Sequence, residues 1–278
     1  METIIALGTV SCNVARKFEK YEEYTTYKID HEESKEKNYL KVEKFDNPEE
    51  YEKNGPNVKN FLKKVSGDVL FIVCGASRTA SASLVGLQQI HKRCKISVLY
   101  ISPETDLLSE GKTLQERAVF NVLQEYTRSA LLERMYLISN LSIDPMIEDA
   151  SIMGYYDSIN DLIVNSFHMI NFFDHTSSVT DTFSSPAETA RISTFGILNP
   201  KTGEENLFFP LDKTRETRYY YGIPEEKMTK EKGLHRKIVN QVKNKATEDR
   251  KVSYGIYPTS YEQEYAYILS HSSFIQKK

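Results

Sequence analysis

Apolar and polar positions along the chain fall into blocks whose period switches between strand-like and helix-like. Residues 3–7 form a short apolar run closed by Gly8, and residues 12–24 follow with helical spacing. Residues 25–30 alternate and predict a second strand that ends in the carboxylate of Asp30. A short amphipathic helix is expected over 58–65, after turn signals at Asn47-Pro48 and Gly55-Pro56. Residues 68–74 (DVLFIVC) and 95–101 (KISVLYI) are nearly continuous apolar runs. Strands of that kind are buried on both faces, the mark of a parallel sheet. Small residues over 75–81 predict a turn between the first of these strands and a helix over 82–92, whose apolar face carries Leu84, Leu87 and Ile90. Helices are also expected over 114–126 and 149–172, with a strand at 134–138 between them. The last helix is apolar on several sides, which predicts burial nearly all round.

Strands alternating with helices predict a doubly wound sheet with its ligand outside the strand C-termini. The pattern changes after Asp174. Residues 176–186 are rich in Ser and Thr, and 190–198 and 252–257 read as strands with a basic helix (230–245) between them. The expected fold class is therefore α/β: a Rossmann-like parallel sheet with a long central helix, followed by a smaller α+β domain. The boundaries are 1–175 for the first, nucleotide-binding-type domain and 176–278 for the second.

Composition narrows the function. The 278 residues are 40% hydrophobic and 27% charged, an ordinary globular balance. A formal net charge of -3 and the lack of a long basic block give no strong nucleic-acid signal. No apolar run is long enough to span a bilayer, so no membrane role is expected. The N-terminal run lacks a basic region ahead of it and reads as a first strand, not a signal peptide. Cys12, Cys74 and Cys94 are odd in number and widely spaced, so they read as buried free thiols in a reducing, cytoplasmic setting. The six histidines show no metal-ligand spacing, and no metal site is expected. No nucleophile elbow is present. The basic helix is either a solvated face or a dock for an acidic partner, including the acidic surface of a neighbouring subunit.

The stretch from 68 to 140 carries a resemblance. It runs Phe71-Ile72-Val73-Cys74-Gly75, Ala76-Ser77-Arg78-Thr79-Ala80-Ser81-Ala82, Pro103, Glu110-Gly111-Lys112, Ala118, then Ile138-Ser139-Asn140. Further on come Ile159-Asn160-Asp161-Leu162-Ile163 and Met169-Ile170-Asn171, with Asn47-Pro48-Glu49 upstream. The order and spacing of these pieces resemble the tubulin/FtsZ superfamily over roughly residues 1–200. That family has a buried strand, a GGGTGTG signature, a loop with Glu-Gly-Lys, a strand ending in Asn and a long central helix.

The resemblance implies a GTP pocket, with magnesium accompanying the nucleotide. Gly75 and the loop to Ala82 would embrace the phosphates, with Thr79 and Ser81 keeping the hydroxyls of the family's pattern. Ala76, Ser77, Ala80 and Ala82 stand where the family has glycine, and each adds a Cβ. Arg78 would pair with a phosphate, or it is solvated or fills the phosphate seat. Only Gly8 and Asn13 match the family's first loop. Asn13 would sit near the base, or it is a polar residue at a helix start. Asn140 and Asp149 fall near positions that face guanine, although Asp149 is equally a helix N-cap or first-turn acid. Glu110 would reach the ribose, while Leu114 stands where the family has arginine.

Hydrolysis in the family is completed by acids on a loop after the central helix of the next subunit, so head-to-tail self-association is implied. Here Asn171 aligns, Phe173 replaces the first acid, Thr176 replaces the second, and Asp174 is one residue out of register. The expectation is a GTP-binding cytoskeletal protein, filament-forming, and a weak GTPase at most. A degenerate scaffold of the same fold without nucleotide, or an unrelated Rossmann-type small-molecule enzyme, are the alternatives. The departures point to a remote lineage such as a phage or archaeal one.

Overall fold

The structure is a computed structural model that describes residues 2–277 apart from positions 105, 107, 148 and 149. The chain divides into two compact units, Met1–Val164 and Asn165–Lys278.

The first unit contains β1 (Glu2–Leu7), β2 (Tyr24–Asp30), β3 (Tyr39–Lys41), β4 (Gly67–Cys74), β5 (Cys94–Ser102) and β6 (Arg134–Ser139). Their order is β3-β2-β1-β4-β5-β6, and every neighbouring pair is parallel. The two apolar runs became β4 and β5, side by side within the sheet, with Phe71 opposite Val98. Both residues are buried, as burial on two faces requires. The helices are α1 (Thr9–Phe18), α2 (Pro48–Lys53), α3 (Ser83–Gln88), α4 (Glu110–Arg128) and α5 (Asn140–Ile143). Strand order reverses between β1 and β4, so the loops leaving them part and open a crevice at their C-terminal ends.

Several expected elements shifted. The helix expected over 12–24 starts directly after Gly8 and stops at Phe18. Residues 58–65 form turns, not a helix. The Leu62 amide still donates to the Val58 carbonyl at 2.8 Å, while Gln89 Oε1 accepts the Val58 amide at 2.8 Å and Arg93 Nη2 donates to the Leu62 carbonyl at 2.9 Å, so side chains from outside hold both ends of the segment. The helix expected over 82–92 is a tight 3-10 turn, Arg78–Ala82, followed by the short α3. The long helix, α6 (Tyr155–Asp174), begins later than expected, after a 3-10 turn at Ile152–Gly154. Lys17 on α1 meets Asp157 at 3.1 Å and Asp161 at 3.0 Å near the start of α6.

The second unit contains β7 (Thr180–Asp181), β8 (Ile192–Leu198), β9 (Glu205–Leu207), β10 (Glu216–Pro224), β11 (Lys251–Thr259) and β12 (Tyr265–Ser272), with α7 (Glu225–Lys230) and α8 (Leu234–Lys243). The order is β8-β12-β10-β11-β7, with β9 on β8. Only β10 and β11 pair in parallel, joined through α7 and α8; the other described pairs are antiparallel. One face buries Tyr219, Tyr221 and Ile223 against Leu234, Ile238 and Val242 of α8. Phe167 and Phe173, from the C-terminal part of α6, pack at 5.8 Å from Phe195 and 4.4 Å from Tyr257 between ring centroids. No described helix is long and apolar enough to cross a membrane.

Candidate functional site

The site is built on the C-terminal ends of β1, β2, β4 and β6 and the segments leaving them. Gly8 turns the chain out of β1 at φ +86°, a left-handed conformation that favours glycine. Its carbonyl accepts the Cys12 amide at 2.9 Å and starts α1. The first turn of α1 has no acidic residue and no side-chain cap, so amide groups and the positive end of the helix dipole point toward the crevice. Ser11, in that turn, is buried, and its Oγ has no hydrogen-bond partner among the described residues. Burial, and next the charge of Asp30, push the Cys12 thiol up to about 12, so it is inert.

Asp30 ends β2 and is buried. Its Oδ1 accepts the Thr9 hydroxyl at 3.2 Å and the His31 amide at 2.8 Å, and lies 2.9 Å from His31 Nδ1. Asp30 was not among the sequence-derived site residues, although the strand ending in a carboxylate was visible. The structure sets it against the first residue of α1.

After β4, Gly75 has a packing role. A Cβ there would lie 1.9 Å from Tyr100 Oη and 2.6 Å from Tyr100 Cζ. Tyr100 donates to Glu116 Oε1 at 2.6 Å, and both residues are buried. Burial drives the Tyr100 phenol well above its ordinary value. The following loop is folded on itself. The hydroxyls of Ser77 and Thr79 meet at 2.5 Å, and the Ala80 amide donates to the Ser77 carbonyl at 2.9 Å. Gln115 Nε2 on α4 donates to the Ser77 carbonyl at 2.9 Å and to Ser81 Oγ at 3.2 Å. Thr79 is buried against Gly8, where a Cβ would stand 2.4 Å from its Oγ1. Arg78 is about half exposed at 48%, with its nearest acid, Asp46, 3.9 Å away.

The structure thus brings Gly8, Thr79 and Ser77 into contact at the strand-order reversal, with Gly75 and Ser81 in the same loop. Other sequence-derived residues lie elsewhere on the first unit. Glu110 is the exposed first residue of α4, and Leu114 is exposed one turn on. Asn140 opens α5 after β6, and its Oδ1 is buried without a partner among the described residues. Asn13 is exposed on α1 and accepts from Arg16 at 2.6 Å. Asp149 lies outside the described residues.

In the second unit, Asn171 and Asp174 occupy the last turn of α6, not a loop beyond it. The Asn171 carbonyl contacts His175 Nδ1 at 2.8 Å, and Asp174 Oδ1 accepts from Tyr220 Oη at 2.8 Å. Burial first, with the Asp174 charge next, pushes the Tyr220 phenol well above its ordinary value. Phe173 is buried, stacked on Tyr220 at 6.1 Å and Tyr265 at 6.2 Å. Its ring pins the helix end, so the register of the neighbouring acid is set by packing. Among the described residues, no group of three or more His, Cys, Asp or Glu could hold a metal ion.

No protein-family model and no curated protein matches the sequence. Solved structures do match along nearly its whole length. A GTPγS-form protofilament of TubZ from Bacillus thuringiensis serovar israelensis superposes with a TM-score of 0.74 at 14% identity, covering 97% of this chain and 86% of that one. The GDP-form protofilaments of the same TubZ give 0.72 at 15% identity, covering 97% and 83%. An empty FtsZ dimer from M. jannaschii gives 0.66 at 10% identity, covering 97% and 87%. At such identities the likeness establishes the fold alone: the α/β architecture here is the one seen in TubZ and FtsZ.

Proposed function

We propose, starting from the tubulin/FtsZ fold, that this chain binds a guanosine nucleotide at the C-terminal edge of its first sheet. We further propose that it assembles head to tail with other copies and hydrolyses GTP slowly at most. One observation carries the binding claim. The buried polar atoms left without partners in this unit include Ser11 Oγ after β1 and Asn140 Oδ1 after β6. Buried polar groups are normally satisfied, so orphans on one edge of a sheet mark a ligand's place. In the order β1-β4-β5-β6 those two strands stand three spacings apart, roughly 14 Å, a span that a nucleotide covers from phosphate to base.

In this reading the α1 amides and dipole hold phosphate oxygens, and the half-exposed Arg78 swings from Asp46 to a phosphate. Asn140 reads the base edge, helped by Asp149, and Glu110 reaches the ribose. Thr79 and Ser81 serve only after breaking their present bonds to Ser77 and Gln115. Magnesium would be held mainly by the phosphates, as this hard cation usually is in nucleotide sites. Asn171 and Asp174 of the next copy would face the terminal phosphate. Asp174 is engaged by Tyr220, and Phe173 offers no acid, which makes hydrolysis slow. The GTPγS and GDP forms of the TubZ protofilaments agree with this assignment.

The Ser77–Thr79 hydroxyl pair against Gly8 favours a second reading, a scaffold of the same fold with a closed phosphate seat. Calorimetry with GTP, with ATP as control and magnesium present, separates the two. Selective GTP binding, weakened about tenfold or more by Asn140→Ala with an unchanged melting temperature, supports the nucleotide reading. Absence of binding of either nucleotide to folded protein leaves the scaffold.

A further inference from the structure

The first unit carries a basic platform at the end of its sheet opposite the candidate site. Between Glu52 and Glu104 the sequence holds eight Lys and Arg and one acid, Asp68, in a chain whose formal net charge is -3. Six of those cations fall in two short runs. Lys59, Lys63 and Lys64 lie ahead of β4, and Lys92, Arg93 and Lys95 lie around the start of β5. Neither run alone is long enough to signal a polyanionic partner.

The fold unites them. Arg93 Nε donates to the Val65 carbonyl and Nη2 to the Leu62 carbonyl, both at 2.9 Å. Gln89 holds the other end, accepting the Val58 amide at 2.8 Å and donating to the Pro56 carbonyl at 2.9 Å. The Gly67 amide donates to the Arg93 carbonyl at 3.2 Å. With the backbone fixed in this way, only lysine side chains remain to be ordered when a partner docks. All five lysines are exposed, and none forms an ion pair among the described residues. Acids bound the platform on its sheet side. Asp68 stands opposite Lys95 in the β4–β5 register, Glu2 starts β1, and Glu133 lies just ahead of β6. Like charges gathered without counter-charges repel, and a bound polyanion relieves that repulsion.

The rest of the surface chooses among polyanions. No exposed large hydrophobic side chain falls within residues 56–68 or 88–95. An acidic protein partner draws most of its affinity from aromatic or apolar anchors, and a membrane-surface element inserts an apolar face. A single nucleic-acid strand stacks its bases on exposed rings. Phe61 is half-buried against Tyr27, with ring centroids 5.4 Å apart. Duplex DNA uses none of these features. It presents a phosphate about every 1.7 Å along its axis and binds lysines through charge alone.

We propose that the Lys59–Lys64 and Lys92–Lys95 runs together dock the phosphate backbone of duplex DNA, without regard to sequence. The contact lies at the N-terminal ends of β4 and β5, away from the crevice at their C-terminal ends. It goes beyond the nucleotide reading and does not depend on it.

The test is fluorescence anisotropy of a labelled random-sequence DNA duplex of about 30 base pairs, titrated with the full chain between about 50 and 200 mM salt. The logarithm of the binding constant should fall against the logarithm of salt with a slope of about -3, as for three or four neutralised phosphates. Lys59→Glu/Lys63→Glu/Lys92→Glu should weaken binding by about tenfold or more and flatten the slope, while the same three positions changed to Arg should keep both. Lys201→Glu/Lys243→Glu/Lys277→Glu changes the net charge equally on exposed lysines of the second unit and should stay within about twofold of the wild type. Every substituted side chain is exposed, so thermal melts of all variants should match the wild type. No binding at the lowest salt, or equal losses in the two Glu triples, overturns the platform. Poly-glutamate that displaces the duplex at equal charge concentration, or a duplex RNA bound more than about tenfold tighter, overturns the assignment to DNA.

Discussion

Replacing Gly75 by alanine tests whether this glycine serves the fold or a phosphate. Its backbone φ is not in the left-handed region, so conformational freedom is not the issue. Space is. The added Cβ would stand 1.9 Å from Tyr100 Oη and 2.6 Å from Cζ, whereas ordinary contact begins at 3.4 Å. Tyr100 must therefore retreat by about 1.5 Å. That retreat breaks its 2.6 Å bond to Glu116, a buried carboxyl. Overpacking costs about 1–3 kcal/mol. A weakened buried bond to a carboxyl costs roughly 1.5–3 kcal/mol more. The two are coupled, so a total of about 3–4 kcal/mol is expected. For a chain of this size that lowers the melting temperature by roughly 5–8 °C. The assay is urea and thermal unfolding followed by circular dichroism, with Tyr100→Phe and the double variant completing the cycle. Tyr100→Phe removes the nearest atom but leaves the ring carbon, so it should recover part of the loss from Gly75→Ala and not all. A cost below about 1 kcal/mol for Gly75→Ala would refute the packing argument. An unchanged fold with lost GTP binding would return Gly75 to the phosphate role.

Further outcomes are expected at Phe173 and Glu36. Phe173→Ala should destabilise by about 3–5 kcal/mol in urea melts, since a ring buried among Tyr220, Tyr257 and Tyr265 is lost. Phe173→Asp should be worse still because the carboxylate has no solvent there; a stable Phe173→Asp protein would contradict the packing reading. Glu36 titrates at about 2, held down first by Arg16 and then by Lys28. Its depressed folded value means this contribution is full above the ordinary carboxylate range and lost as pH falls from about 5 toward 2. Because the side chain is about a third exposed, solvent screening trims the contribution to roughly 1 kcal/mol. Glu36→Gln should thus be less stable at pH 7 and nearly equal to the wild type at pH 2–3; a constant difference across that range would show that Glu36 acts through packing.

The resemblance to the tubulin/FtsZ superfamily was legible because it rests on local order: buried strand, small-residue turn, helix, strand, and a long apolar helix. The runs at 68–74 and 95–101 could only be inner strands of a parallel sheet, since nothing else buries both faces of so short a segment. Gly8 likewise announced a sharp turn out of β1. The strands β10 and β12 were missed because tyrosine supplies much of their apolar surface. Whether a tyrosine acts as core or as surface is decided by its neighbours, here α8 on one side and Phe173 on the other.

Candidate site residues split the same way. The resemblance, and no local pattern by itself, named Gly8, Gly75, Thr79 and Asn140 as candidates. No pattern foretold that the Thr79 hydroxyl would pair with Ser77, that Tyr100 would fill the space over Gly75, or that α6 would continue through Asp174. The strand–helix alternation, the inner strands and the loops at the sheet's C-terminal edge were already written in the chain, because periodicity and backbone sterics act over a few residues. Long-range packing had to decide which polar atoms are left unpartnered, which glycine is needed for room, and which apolar side chains remain in water. Those properties belong to pairs of residues far apart in the chain, and only the folded arrangement brings them together.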